Sequence, residues 1–211
     1  MSSIFSYSTR DLKFILKEWI PTEEVFAYDK FKDYYSKDDV DMMIDQVYKI
    51  AAEVVAPTAD ELEEHGVKFE DGKVTVAPGL TKVFKYLQEN GWGTSNIDEN
   101  AEGTIPEVLF CSLMEMIQAA CPAATSAGGL TTGAARLIQS FGTPELKEMF
   151  LPKMFDGTWS GTMCLTEPTA GSDVGDILSK AYPTDHPRIY KIKGSKQFIT
   201  CGDGAFSENI I

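Results

Sequence analysis

One stretch carries residue types that could do chemistry together: Cys164-Leu165-Thr166-Glu167-Pro168-Thr169-Ala170-Gly171-Ser172-Asp173. Its apolar start reads as a strand that runs into a turn built from Pro168, Ala170 and Gly171. Thr166 ends the strand with a hydroxyl and a free backbone N–H. The Gly171-Ser172 turn offers further N–H groups and one more hydroxyl. Such a cluster of donors suits the flat polar edge of a ring or a phosphate. The same residues also fit a plain β-turn held by Asx and hydroxyl hydrogen bonds. Glu167 is the one carboxylate placed between the strand and the turn glycine.

Other chemistries find less support. The four cysteines, Cys111, Cys121, Cys164 and Cys201, form no C-x-x-C pair, and the two histidines are His65 and His186. A zinc site needs about four grouped ligands, and the spacing offers no such group. Scattered buried thiols fit a reducing, cytoplasmic setting. With 19 basic against 32 acidic residues the net charge is −13. That argues against nucleic acid, whose phosphates are bound by Lys and Arg, and against an anionic membrane surface. An anionic cofactor is still compatible, because helix N-termini and backbone N–H groups can hold it. Met1-Ser2-Ser3-Ile4 lacks the basic and apolar regions of a secretory signal. The least charged run, 116–135, is too polar and too broken for a membrane span.

The elements that would position the stretch are mostly helical. Leu12, Ile15, Leu16, Trp19 and Ile20 share one face of a short helix that Ser8 or Thr9 could cap and Pro21 stops. With Phe26, Phe31, Tyr34 and Tyr35 it forms an N-terminal arm, residues 1–35, that needs a body to dock on. Ser36 should cap a long helix over 37–64, with Val40, Met43, Ile44, Val47, Ile50, Ala51, Val54 and Leu62 inside. Pro57 should kink or split it. Asp71-Gly72 predicts a two-residue hairpin within 67–74. Further helices are expected from Pro78 to Asn90, from Pro106 to Cys121 and, in small residues, over 123–140, with a polar loop at 95–103. Residues 116–135 should be largely buried, and Leu130 and Leu137 should anchor the small-residue helix. Thr143-Pro144 starts another helix, to about Met154. After Gly157 the period changes to strand: 159–165, then 188–192 and 196–200 around Gly194-Ser195. Asn209-Ile210-Ile211 reads as an apolar strand with no partner after it, so the chain is expected to be part of a longer protein.

The stretch resembles the L-T-E-P-x-A-G-S-D signature of the acyl-CoA dehydrogenase family. Two flanking elements match as well. Upstream, Phe141-Gly142-Thr143-Pro144-Glu145 through Leu151-Pro152-Lys153-Met154 to Asp156-Gly157 resembles the helix leading into that family's β-domain. Downstream, Gly194-Ser195-Lys196-Gln197-Phe198-Ile199-Thr200 resembles its G-x-K-x-[WF]-I-T strand. The arm and the 69–74 hairpin are similar to an extended bacterial subgroup that includes methylthiopropionyl-CoA dehydrogenases. Met163 stands where an aromatic is common, Phe198 where tryptophan is, and Asp176 where a small residue is. The family's glycine-rich loop is reduced here to Asn100-Ala101-Glu102-Gly103.

The resemblance implies a mainly α fold: an N-terminal helical domain at 36–158, then the opening strands of a middle β-barrel at 159–211. It implies FAD, an acyl-CoA substrate oxidised to the trans-2-enoyl-CoA, and a role in fatty acid metabolism. It further implies an electron-transfer flavoprotein as acceptor and a homodimer or homotetramer. An acyl-CoA oxidase, or a relative without catalysis, would share these motifs. Met163, Cys164, Leu165 and Thr166 correspond to the strand at the flavin pyrimidine edge. Phe198, Ile199 and Thr200 correspond to the stretch beside the isoalloxazine. Ser172 matches the serine near the pyrophosphate and the CoA arm, and Gly129 lies where the acyl chain would pass. The base would be a glutamate C-terminal to Ile211, and Glu167 would be structural.

Overall fold

A computed structural model describes residues 5–92, 98, 101–203 and 207–211. The start of the chain and most of the loop expected at 95–103 lie outside the described residues.

The arm is part of the core. Helix α1 (Thr9–Phe14) runs on as a π-helical turn, Ile15–Trp19, and α2 spans Thr22–Phe26. Ser8 occupies the N-cap position without a side-chain capping bond. Leu12, Leu16 and Phe26 are buried in the same cluster as Val40, Ile44, Leu113 and Ile117. Polar ties add orientation. Lys13 bonds Asp45 at 2.9 Å, Lys17 pairs with Asp41, and the Tyr7 hydroxyl donates to Glu115. Burial and that carboxylate push the Tyr7 phenol up to about 12.

Helix α3 (Lys37–Lys49) begins where Ser36 donates its backbone N–H to the Asp39 carboxylate at 2.8 Å. This satisfies the chain entering the first turn. The long helix expected to 64 is divided. A π-helical segment, Ile50–Val55, and a 3₁₀ turn, Ala56–Thr58, precede α4 (Ala59–His65). Pro57 lies in that 3₁₀ turn, as a residue lacking the N–H donor requires. Gly66, at φ +61°, ends α4. Strands β1 (Lys68–Glu70) and β2 (Lys73–Thr75) pair antiparallel, with Asp71 and Gly72 both at positive φ in the turn. Helices α5 (Pro78–Glu89), α6 (Glu107–Ala120), α7 (Ala123–Phe141) and α8 (Pro144–Phe155) follow.

The expectation for 116–135 needs correction. Met116, Ile117, Ala124, Ala127, Gly128, Thr131, Ala134 and Ala135 are buried, but Gly129 and Gly133 face open space. Leu130 is half-buried and Leu137 is 57% exposed. Helix α7 therefore buries one side and leaves another bare. On the buried side its small residues permit close approach. A Cβ placed on Gly161 would lie 2.5 Å from the Ala134 Cβ. The Gly161 N–H donates to the buried Thr131 hydroxyl at 3.0 Å, and that hydroxyl donates to Ala127 O at 2.7 Å.

The β part also departs from the expected strands. Only Trp159–Ser160 (β3) of 159–165 is a strand. Past it, the Gly161 N–H turns to Thr131, the Thr162 N–H to Ile211 O, and the Glu167 N–H to Ala170 O. The Thr162 bond, with the Ile211 N–H donating to Ser160 O, carries the parallel pairing with β6 one step further, and beyond it no ladder continues. Residues 196–200 are not a strand either, because Phe198 and Cys201 take left-handed backbone at φ +57° and +55°. Strand β5 (Tyr190–Lys193) pairs instead with β4 (Lys180–Pro183), which the pattern did not reveal. Strand β6 (Asn209–Ile210), expected to be unpaired, runs parallel to β3, and Ile211 packs against a second small cluster around Ala135, Leu151 and Met154.

Candidate functional site

The two motif segments lie side by side. The Gln197 N–H donates to Thr166 O at 3.0 Å, and the Thr162 hydroxyl donates to Thr200 O at 2.6 Å. Residues 162–166 and 197–200 thus form one irregular surface, although about thirty positions separate them in sequence.

Glu167 holds the two together. Its side chain is 3% exposed. Oε1 accepts from Lys196 Nζ at 2.7 Å and from the Ser179 N–H at 3.1 Å. Oε2 accepts from the Leu178 N–H at 2.6 Å. Lys196 Nζ also donates to Leu165 O at 3.0 Å. The Lys196 ammonium, with the amides of Leu178 and Ser179, holds the Glu167 carboxyl down at about 2. A carboxylate so bound is a fixed anion and a poor proton acceptor. Its backbone closes a tight turn, with Glu167 N–H to Ala170 O at 2.8 Å and the reverse bond at 3.1 Å.

The residues read as candidate contacts surround this clamp. Met163, Cys164, Leu165, Ser172, Phe198 and Thr200 are exposed, while Thr166 and Ile199 are half-buried. Phe198 is 82% exposed, an unusual state for an aromatic side chain held in left-handed backbone. Local strain of this kind is found where surrounding bonds over-determine the backbone. Here Gln197 is bonded to Thr166 and Gly202 N–H to Ile199 O. Gly171 has open space where a Cβ would stand, which leaves the Gly171-Ser172 turn accessible. Met163, Leu165 and Phe198 are exposed apolar side chains of the two joined segments, Thr166 and Thr200 bring hydroxyls on the same segments, and Ser172 follows in the turn after Glu167. That pairing suits a flat amphipathic ring bearing a charged tail. Burial pushes the Cys201 thiol up, and Cys111 likewise, so neither is a ready nucleophile. Among the described residues no group of three or more His, Cys, Asp or Glu could hold a metal ion.

Gly129 stands apart from this surface, on the bare side of α7. Beside it a cavity of about 320 Å³ is bounded by Phe84 and Leu87 of α5, Met114 of α6, and Thr125 and Gly129 of α7. Sequence reading found the residues of both motifs but missed Lys196 as the partner of Glu167. The only signal available was a lone lysine in the second motif. No described helix is long and apolar enough to cross a membrane.

Comparison with known proteins gives concordant matches. Residues 37–158 match the family model described as acyl-CoA dehydrogenase, N-terminal domain. A butyryl-CoA dehydrogenase of Syntrophomonas wolfei is 42% identical over 98% of this chain and 34% of its own length. A 3-methylmercaptopropionyl-CoA dehydrogenase of Ruegeria pomeroyi is 30% identical over 96% of this chain and 34% of its own. The chain thus spans about a third of the length of the curated relatives it matches. A crystal structure of an acyl-CoA dehydrogenase complexed with FAD from Bacillus anthracis aligns with a TM-score of 0.63 at 23% identity. It covers 85% of this chain and 29% of that one. At that identity the likeness speaks for the fold.

Proposed function

The chain belongs to the acyl-CoA dehydrogenase family through its N-terminal domain, and from that premise we propose that its 211 residues are an N-terminal portion of an FAD-dependent acyl-CoA dehydrogenase. In this reading residues 1–35 are an extension docked on the helical domain, 36–158 are that domain, and 159–211 open the middle β-domain. The whole protein converts an acyl-CoA thioester to its trans-2-enoyl-CoA in the cytoplasm. It passes electrons to an electron-transfer flavoprotein and acts as a homodimer or homotetramer in fatty acid metabolism.

The observation that carries the reading is the joining of the two motif segments into one surface of exposed apolar side chains and hydroxyls. Those residues fit a flavin. Met163, Leu165 and Phe198 offer an apolar wall. Cys164 contributes backbone, and Thr166, Ile199 and Thr200 line the ring edge. Ser172, in the accessible turn beside Gly171, suits the pyrophosphate and the CoA arm. When bound, FAD supplies the acceptor for the hydride that leaves the substrate β-carbon. This chain's residues contribute donors preorganised toward the charge that builds on the reduced ring edge. Glu167 fixes their mutual position and, being held deprotonated by Lys196 and two amides, does not take the α-proton. That proton goes to a glutamate of a C-terminal helical domain, beyond Ile211. Gly129 leaves room for the acyl chain along α7.

The test uses the full-length polypeptide that contains these residues, purified and supplied with acyl-CoA and an artificial electron acceptor. Mass spectrometry should show a product lighter by two hydrogens. Recovery of unchanged acyl-CoA from a flavin-loaded preparation would refute the proposal.

A further inference from the structure

Three successive carbonyls of the first motif turn to the same two residues of the second. Lys196 Nζ donates to Leu165 O at 3.0 Å, the Gln197 N–H to Thr166 O at 3.0 Å, and Gln197 Nε2 to Glu167 O at 3.4 Å. The peptides here are trans, so each N–H points away from the carbonyl of its own peptide unit. Holding the carbonyls on one side therefore aims the amides that follow them to the other. Of those three positions, Pro168 has no N–H, and the Glu167 N–H is taken by Ala170 O at 2.8 Å. The Thr166 N–H is left over, with no acceptor among the described residues. It belongs to the residue assigned above to the flavin ring edge.

Lys196 does more than orient that amide. Its ammonium bonds the oxygen of the peptide whose nitrogen is that of Thr166. A cation on the carbonyl draws electron density from the N–H, and hydrogen bonds in a chain strengthen one another. The surroundings are partly closed to water: the Lys196 side chain is 26% exposed and that of Glu167 3%. Charges there act more strongly on a neighbour than they do in bulk solvent. Lys196 and Glu167 carry opposite charges 2.7 Å apart, so their effects on the Thr166 amide have opposite signs. The amides of Leu178 and Ser179 keep hold of the carboxylate independently of the lysine.

We propose that Lys196 is a positioning residue that raises the reduction potential of the bound flavin, by orienting and polarising the Leu165–Thr166 peptide against the ring edge. This rests on the reading of the surface as a flavin wall. A ring that accepts hydride gains negative charge along its pyrimidine edge. A donor strengthened by a cation favours that form over the oxidised one. Glu167, as the counter-anion, opposes the effect.

The experiment is a spectroelectrochemical titration of the full-length holoenzyme in the absence of substrate, with FAD content determined in every preparation. Lys196→Met should lower the affinity for reduced relative to oxidised flavin about tenfold, a fall of about 30 mV for a two-electron couple. Glu167→Gln keeps the ammonium and removes the opposing charge, so it should raise the potential. A clamp that only holds the two segments in register would give both variants the same outcome, a common fall or a common loss of FAD, and either would overturn the proposal. An unchanged potential in Lys196→Met would overturn it as well. Where Lys196→Met alone fails to hold FAD, the sign of the Glu167→Gln shift decides: a rise supports the proposal, and no shift or a fall overturns it. Wild-type protein that takes up no FAD would instead overturn the underlying flavin reading.

Discussion

At the scale of single residues, Thr166, Phe198 and Gly129 make separable claims. Thr166→Val keeps shape and removes one hydroxyl. It should weaken flavin binding, or shift the flavin potential, by about 1 kcal/mol, the usual worth of a hydrogen bond. Isothermal titration and spectroelectrochemistry should both be run, and wild-type values in both would dismiss the assignment. Phe198 sits at φ +57°. Left-handed backbone costs an L-residue roughly 1–2 kcal/mol, so Phe198→Gly should leave thermal stability unchanged or raised while reducing flavin occupancy. A variant that melts earlier and keeps its flavin would show that Phe198 is a packing residue only. Gly129 has open space at its Cβ position. Gly129→Leu should therefore improve the helix by up to about 1 kcal/mol and shorten the accepted acyl chain; equal rates across chain lengths would count against that path. Thr166 and Phe198 were legible in two short motifs, and Gly129 in the small-residue helix. Their conformations were not, since nothing local announces an aromatic residue in left-handed backbone.

At the scale of elements, helices were far more legible than strands. Caps and prolines act over three or four positions, and Ser36, Pro57, Gly66 and Pro78 each did locally what their chemistry requires. Strands depend on partners that are distant in sequence. The run 159–165 reads as a strand, yet past Ser160 the Gly161 N–H found a threonine hydroxyl and the chain closed into a turn at Glu167. Strand β4, ending in Pro183, carried no alternation to betray it. Two predictions belong here. Gly161→Ala would set a methyl 2.5 Å from the Ala134 Cβ. Such overpacking should destabilise the β3–α7 contact by about 1–3 kcal/mol, measured by denaturant unfolding, and an unchanged midpoint would mean that α7 yields freely. The Glu167 clamp should give a pH dependence. Its carboxyl lies at about 2, below the ordinary 4.5, so the folded state binds fewer protons there than the unfolded state. The clamp's contribution is full above pH 4.5 and is lost as pH falls from there toward 2. Glu167→Gln should flatten that part of the stability profile. An identical acid limb in variant and wild type would show that the clamp contributes nothing to it.

At the scale of the whole molecule, the sequence pointed to an arm resting on a helical body. In the structure that arm packs deeply, for Leu12, Leu16 and Phe26 share a cluster with Val40, Ile44 and Leu113. A marginal short helix can be read as an arm from its length, but the depth to which it is buried depends on distant side chains. The strand expected to end unpaired is also tied in, through β3. The pairing of β6 has a consequence for function. The surface made by Met163–Thr166 and Phe198–Thr200 is mounted on the helical domain through α7, Gly161 and β6, so chemistry at that surface and space along α7 share one scaffold. The claim that this surface is one wall of an FAD site in an acyl-CoA dehydrogenase is tested most directly by anaerobic mixing. Purified full-length protein is mixed with octanoyl-CoA while the visible flavin absorbance is followed. The account predicts a flavin band that bleaches in proportion to substrate and returns on adding an electron-transfer flavoprotein. A preparation that takes up no flavin, or a flavin band unmoved by any acyl-CoA, would contradict it.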